Sequence, residues 1–240
     1  MHETATGAAL LAAARDFRSR VIAQRDAIET SRRLPEDLAR ELARGGFFRI
    51  FLPAAYGGLD LTPMDGIAVF EELAKADASV AWCVWNGNTH WTAAQLSPEA
   101  AHAIHDDPDV ITANSTRPSG QAHVVDGGYR LTGRWSLVSG CEFAAWMVLW
   151  SVIHEDGKPR TTLSGARRSA SCCCPPANAR SSTPGQSEGC AALAVTMSRC
   201  MTCLCPLLTP RASSTATSCP SRATAFPHSA ESSLALARWH

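Results

Sequence analysis

Apolar residues return every three or four positions through "ALLAAARDFRSRVIAQRDAIE" (Leu10, Leu11, Ala14, Phe17, Val21), which predicts one amphipathic helix. "RRLPEDLARELARGG" predicts a second. Pro35 suits its first helical position, Glu36 and Asp37 fill its first turn, and Gly45 and Gly46 end it. After the apolar run "FFRIFLPAAYGGLDL", Thr62 stands as a cap before Pro63, with Ile67, Phe70 and Leu73 on one face of a third helix. "DASVAWCVWNGNTHWTAAQL" is apolar nearly all round, which predicts a buried helix, and "SPEAAHAIH" a short capped one. The period then changes. "DVITANST" is β-branched and extended, and "QAHVVDGGYRLTGRWSLVSG" alternates about a hairpin turn at Asp126, Gly127 and Gly128. "AAWMVLWSVI" is an apolar run of strand length, so helices give way to antiparallel β-structure near residue 108.

Composition divides the chain a second time. The 240 residues carry no net charge and are 45% hydrophobic, averages that hide two unlike parts. Residues 1–160 hold 20 acidic and 15 basic side chains, whereas residues 161–240 hold two acidic residues, seven arginines and eight of the ten cysteines. Such a tail has few β-branched or aromatic residues from which to build a core. Its arginines form no stripe and have no interleaved aromatics, which argues against nucleic acid. The opening "MHETATGAALLAAARDF" has no basic lead, and its apolar run breaks at Arg15, so no secretory signal is expected. No apolar run has the length of a membrane span. Cys83 and Cys141 alone in the first 160 residues suit a reducing cytoplasm, where both are expected to be inert thiols.

Two segments carry a resemblance. "GFFRIFLPAAYGGLDLTPMDGIAVFEELAKADASVAW" resembles the loop and helix pair of the acyl-CoA dehydrogenase superfamily, and "VDGGYRLTGRWSLVSGC" resembles its "GGY-x-L-x-G-x-W" hairpin. The resemblance spans roughly residues 8–160. It implies an α+β chain: an N-terminal α-helical domain over 1–107, then the first part of a middle antiparallel β-barrel over 108–160. In the family a C-terminal helical bundle follows, a flavin (FAD or FMN) lies between barrel and bundle, and the assembly is usually a homotetramer. Dehydrogenases of the family commonly carry "TEPxxGSD" and "WITN". Here the corresponding segments read "ANSTRPSGQ" and "GRWSLVSG", which look more like the flavin-dependent monooxygenase branch.

That branch hydroxylates aromatic or steroid-derived substrates with flavin reduced by a separate reductase or electron-transfer partner. By this resemblance His90 and Ser139 are the expected catalytic residues near the flavin's reactive edge, where an imidazole and a hydroxyl can donate hydrogen bonds to developing negative charge. Asn114, Ser115, Thr116, Trp135 and Ser139 are the expected cofactor contacts. Each also has a plainer reading: His90 as an ordinary helix histidine, the polar trio as hairpin-end groups, Trp135 as core. The Trp-rich "AWCVWNGNTHW" reads first as helix packing and second as the lining of a substrate pocket. The alternative reaction is α,β-dehydrogenation of an acyl-CoA.

The cysteines of the tail, Cys190, Cys200, Cys203 and Cys205 among them, contain one C-x-x-C without a second pair or a nearby His, so no metal site is expected. An out-of-frame reading explains them better. In the neighbouring frame any residue followed by Cys becomes Leu, Val or Met, and Gly189–Pro206 permits "LRGTGSHDVAVHDVFVP", a segment the family carries at this position. The expectation is therefore a frameshift near residues 160–170, a truncated chain lacking the C-terminal bundle, and a disordered or poorly packed 161–240. A chain so built is expected to be an inactive remnant or a non-enzymatic interaction module, with the tetramer in doubt.

Overall fold

The computed structural model describes residues 7–89, 92–93, 96–125 and 128–161, together with the backbone of short strands between 169 and 205. The helical half comprises α1 (Gly7–Ala23), α2 (Arg25–Ser31), α3 (Glu36–Arg44), α4 (Pro63–Ala76), α5 (Ala78–Gly87) and α6 (Pro98–His105). The single helix expected at the N-terminus is two, broken at Gln24. Pro35 is the cap of α3, one place before the expected position. Thr62 Oγ1 accepts from the Asp65 amide at 3.2 Å and Ser97 Oγ from Ala100 at 3.3 Å, so both expected N-caps are present. Asp77 adds a third, its Oδ1 accepting from Ser79 and Val80.

The first core joins Leu10, Ala14 and Val21 of α1 to Val69 and Leu73 of α4, Leu38 and Leu42 of α3, and Val80 and Val84 of α5. Phe47 and Ile50, from the loop that follows α3, sit in its middle. That loop doubles back on itself: Leu59 N bonds Arg49 O, Leu61 N bonds Ile50 O, and Asp60 N bonds Leu52 O, all within 3.0 Å. Gly57 takes a left-handed φ of 73° there, and a Cβ on Gly58 would lie 1.7 Å from the Leu52 carbonyl oxygen. The "YGG" of the sequence is thus the residue choice that lets the chain cross over itself.

The sheet is built on β1 (Thr112–Val125), β2 (Gly128–Trp135), β3 (Trp146–Glu155) and β4 (Lys158–Pro159). β1 pairs antiparallel with β2, from Gly120↔Gly133 to Val125↔Gly128. On its other side β1 runs parallel to β3, which departs from the all-antiparallel expectation and makes the sheet mixed. The cause is the connection 136–145. It passes Phe143 into the helical core beside Ile111 before the chain re-enters the sheet on the far side of β1. β5 (Ser169–Cys174) pairs with β3, β7 (Thr196–Cys200) and β8 (Cys203–Cys205) pair with β2, and β6 (Ala179–Ser182) pairs with β7. Among the described residues these strands leave an open path and close no barrel.

The "G-x-W" of the sequence is a packing device. Gly120 and Gly133 face each other across β1 and β2, and the Trp135 ring lies over them. A Cβ on Gly120 would stand 2.0 Å from Trp135 Cζ2, and one on Gly133 2.5 Å from the Gly120 Cα. Trp135 is completely buried and its Nε1 donates to the Trp150 carbonyl at 2.7 Å. Cys83 and Cys141 are buried thiols outside any disulfide, and burial pushes the Cys141 thiol up to about 12. No described helix is long and apolar enough to cross a membrane. The hairpin residues Asp126 and Gly127 and the side chains of the cysteine-rich tail lie outside the described residues.

Candidate functional site

α5 was expected to be buried on every side, and it is not. Trp82 and Trp85 are 45% and 51% exposed. With Ile67 and Phe70 of α4 they line an open groove of about 360 Å3, to which Glu71 brings the one acidic side chain. The rings of Phe70 and Trp85 meet edge to face, centroids 5.5 Å apart at 90°. α5, capped by Asp77, turns Ser79, Val80, Ala81, Cys83, Val84 and Gly87 inward and leaves Ala78, Trp82 and Trp85 facing out.

At the edge of this groove the helix is bonded to the sheet. Trp82 Nε1 donates to Ser139 Oγ at 3.1 Å, and Asn86 Nδ2 donates to the Ser139 carbonyl at 3.0 Å. Asn114 Nδ2 donates to the Asn86 carbonyl at 2.5 Å and to its Oδ1 at 3.2 Å. Ser115 Oγ donates to the Ser136 carbonyl at 3.1 Å. Ser139 lies in a tight reversal flanked by two left-handed residues, Leu137 (φ 58°) and Gly140 (φ 79°). A left-handed leucine costs about 1 kcal/mol or more and persists where its surroundings fix it. Here the Trp82 and Asn86 bonds to Ser139 hold the turn.

Next to this cluster β1 bulges. Its register with β3 shifts between Ser115 and Gly120, and its pairing with β2 begins only at Gly120. Thr116, Arg117, Pro118 and Ser119 are all exposed. The bulge presents hydroxyls, a guanidinium and backbone groups, and it follows in sequence on Asn114, which is bonded to Asn86 of α5, and on Ser115.

Of the residues singled out in the sequence, Asn114, Ser115 and Ser139 are brought together, all buried, with Thr116 exposed beside them. Trp135 sits apart, in the core of the sheet. His90 lies outside the described residues. Trp82 and Asn86, which complete the cluster, lie in the Trp-rich stretch read as helix packing or pocket lining, but their bonds to residue 139 were not expected. Their hydrogen-bonding roles depend on where residue 139 falls, and helical periodicity does not report that.

Residues 4–100 match the family described as acyl-CoA dehydrogenase, N-terminal domain. The helical half is similar to the N-terminal domain of acyl-CoA dehydrogenases.

The chain is 35% identical over 133 residues to the oxygenase subunit HsaA, a flavin-dependent monooxygenase of Rhodococcus jostii, covering 55% of this chain and 35% of that protein. It is 34% identical over 134 residues to the oxygenase component of an FADH2-dependent resorcinol hydroxylase from Rhizobium, covering 55% of this chain and 33% of that protein. In three dimensions it resembles the HsaA monooxygenase from M. tuberculosis with a TM-score of 0.72 at 26% identity, covering 80% of this chain and 52% of that one. It also shares the fold of XiaF from Streptomyces, solved in complex with FADH2 and glycerol, with a TM-score of 0.73 at 22% identity. The chain spans about a third of the length of these curated relatives and about half of the solved structures.

Within this acyl-CoA dehydrogenase-like frame the donor set fits a flavin. An isoalloxazine ring presents carbonyls and ring nitrogens at its edge, and the exposed bulge 116–119 offers hydroxyl, guanidinium and backbone partners for them. In the buried trio, Asn114 donates to Asn86, Ser115 donates to the Ser136 carbonyl and Ser139 accepts from Trp82.

Proposed function

We propose that the chain belongs to an oxygenase component of a two-component flavin-dependent monooxygenase, which uses flavin supplied by a separate reductase to hydroxylate an aromatic or steroid-derived small molecule. The single observation that carries this reading is an exposed aromatic groove whose Trp82 wall is hydrogen-bonded to Ser139, in the turn that leaves β2. The similarity to HsaA and to the resorcinol hydroxylase supports it. The aromatic class of substrate is supported by a groove whose walls are Trp82, Trp85 and Phe70, since such faces bind flat apolar rings and exclude water.

The roles follow from exposure. Thr116 and the backbone of 116–119 hold the flavin, FAD or FMN, by hydrogen bonds. When bound, the reduced flavin supplies the electrons that activate oxygen. Ser139 accepts from the Trp82 indole and so fixes one wall of the groove; it is a positioning residue. His90, by its match to the branch, donates a hydrogen bond to negative charge developing at the substrate.

The test begins with the full chain, whose visible absorption is measured after incubation with FAD or FMN and desalting. A retained flavin band is expected, weakened in Thr116→Ala. No retention of either flavin by the native chain counts against the reading. Product formation from a phenol with NADH and a flavin reductase, set against dye reduction with an acyl-CoA, then separates hydroxylation from dehydrogenation.

A further inference from the structure

Away from the groove, Arg49 is buried where the loop after α3 meets α6. Its Nη1 donates to the Asp107 carbonyl at 3.2 Å, and its Nη2 donates to the carbonyls of Tyr56 at 2.7 Å and His105 at 2.5 Å. Its third nitrogen, Nε, has no partner, and neither does Nε2 of the buried His105. Arg49 and His105 line one small cavity of about 10 Å3, bounded on its other side by Thr89 and Thr112. Two orphaned buried groups at one cavity are costly, roughly 1–3 kcal/mol each, unless something in the cavity satisfies them.

We propose that this cavity is a binding site for one buried water molecule, which accepts the Arg49 Nε proton and hydrogen-bonds His105 Nε2. The volume matches a single water, which needs about 10–15 Å3 and two to four polar partners. Counting donors and acceptors closes the arrangement. Arg49 Nε–H only donates, so the water oxygen receives it. The Thr112 hydroxyl donates to the Gly87 carbonyl at 2.8 Å and therefore accepts from Thr89, 2.7 Å away. The Thr89 oxygen is left as an acceptor on the cavity wall, available to the water's own protons. A halide, also attracted to the guanidinium, would face that acceptor oxygen and a neutral imidazole, and could donate to neither. The water thereby links three segments around the otherwise unpartnered Arg49 Nε: the loop 49–58, the end of α6, and the α5–β1 corner.

The full chain crystallised from sodium bromide tests this directly. Expected at high resolution is one peak within hydrogen-bonding distance of both Arg49 Nε and His105 Nε2, with no anomalous bromine signal. An empty cavity, or a bromide in it, overturns the proposal. In solution, 17O relaxation dispersion should count one fewer long-lived water in His105→Phe, whose larger ring fills the space; an unchanged count in a folded variant also overturns it.

Discussion

The indole nitrogen of Trp82 and the hydroxyl of Ser139, 57 residues apart in the chain, meet at 3.1 Å and tie the exposed face of α5 to the turn that leaves β2. The bond leaves an almost half-exposed tryptophan with one fixed orientation. Ser139→Ala should cost about 1 kcal/mol in stability and free the ring. In an NMR hydrogen-exchange experiment the Trp82 indole proton is expected to lose protection in the variant while that of Trp135 keeps it. Equal protection before and after would mean that Ser139 does not hold the indole.

Asn88 carries a larger stake. Its Oδ1 accepts from the Ile50 amide at 2.9 Å, and its Nδ2 donates to the Phe47 and Val84 carbonyls at 2.9 and 2.7 Å. Asn88→Ala strands three buried backbone groups at once, and roughly 3 kcal/mol or more should be lost. Urea unfolding checks this: the midpoint should fall while the slope stays unchanged.

Acid should find His105 next. Burial first, and the Arg49 charge second, hold its imidazole down to about 4, below the ordinary 6.5. A histidine whose folded pKa is depressed binds its proton more readily when unfolded. Its neutral form therefore costs stability progressively as pH falls from about 6.5 to 4, and no further below that. The loss should reach roughly 2 kcal/mol once solvent screening is allowed for. Subtracting the stability–pH curve of His105→Gln from that of the native chain should leave this sigmoid. A flat difference would show that the ring titrates normally.

Gly120→Ala should unfold the sheet before the helices. A methyl at 2.0 Å from Trp135 Cζ2 has no room, because that ring is wholly buried and its nitrogen is committed to Trp150. Overpacking of this kind costs about 1–3 kcal/mol. Gly157→Ala, where a Cβ meets nothing within 4 Å, should cost only the strain of its left-handed φ of 76°. Near-ultraviolet circular dichroism of the two variants separates the cases, since only the first disturbs Trp135.

The helices were legible because their signals are local. Thr62 and Ser97 announce their caps within three residues, and the spacing of Leu10, Ala14 and Val21 shows α1's inward face. α5 misled for the converse reason: when nearly every residue is apolar, periodicity no longer says which side faces out, and packing against the other helices decides it instead. In the sheet, the alternation of β1 and β2 predicted their antiparallel pairing. The parallel partner β3 depends on the path of 136–145, which no period encodes. At the site, Asn114, Ser115, Thr116 and Ser139 were reached through resemblance. Trp82 and Asn86 required coordinates, because a hydrogen bond across 57 residues has no sequence signature.

Phe143 and Ile111 lie inside the core of the helices although both belong, by position, to the part of the chain that makes the sheet. During synthesis, then, the first 107 residues emerge from the ribosome before two of the side chains that complete their core have been made. The helical layer waits for residues 111 and 143 with its core incomplete. The order of translation and the order of closure are opposite here, and a slow stretch of codons between 108 and 143 would lengthen the time that an unfinished apolar face is open to other chains.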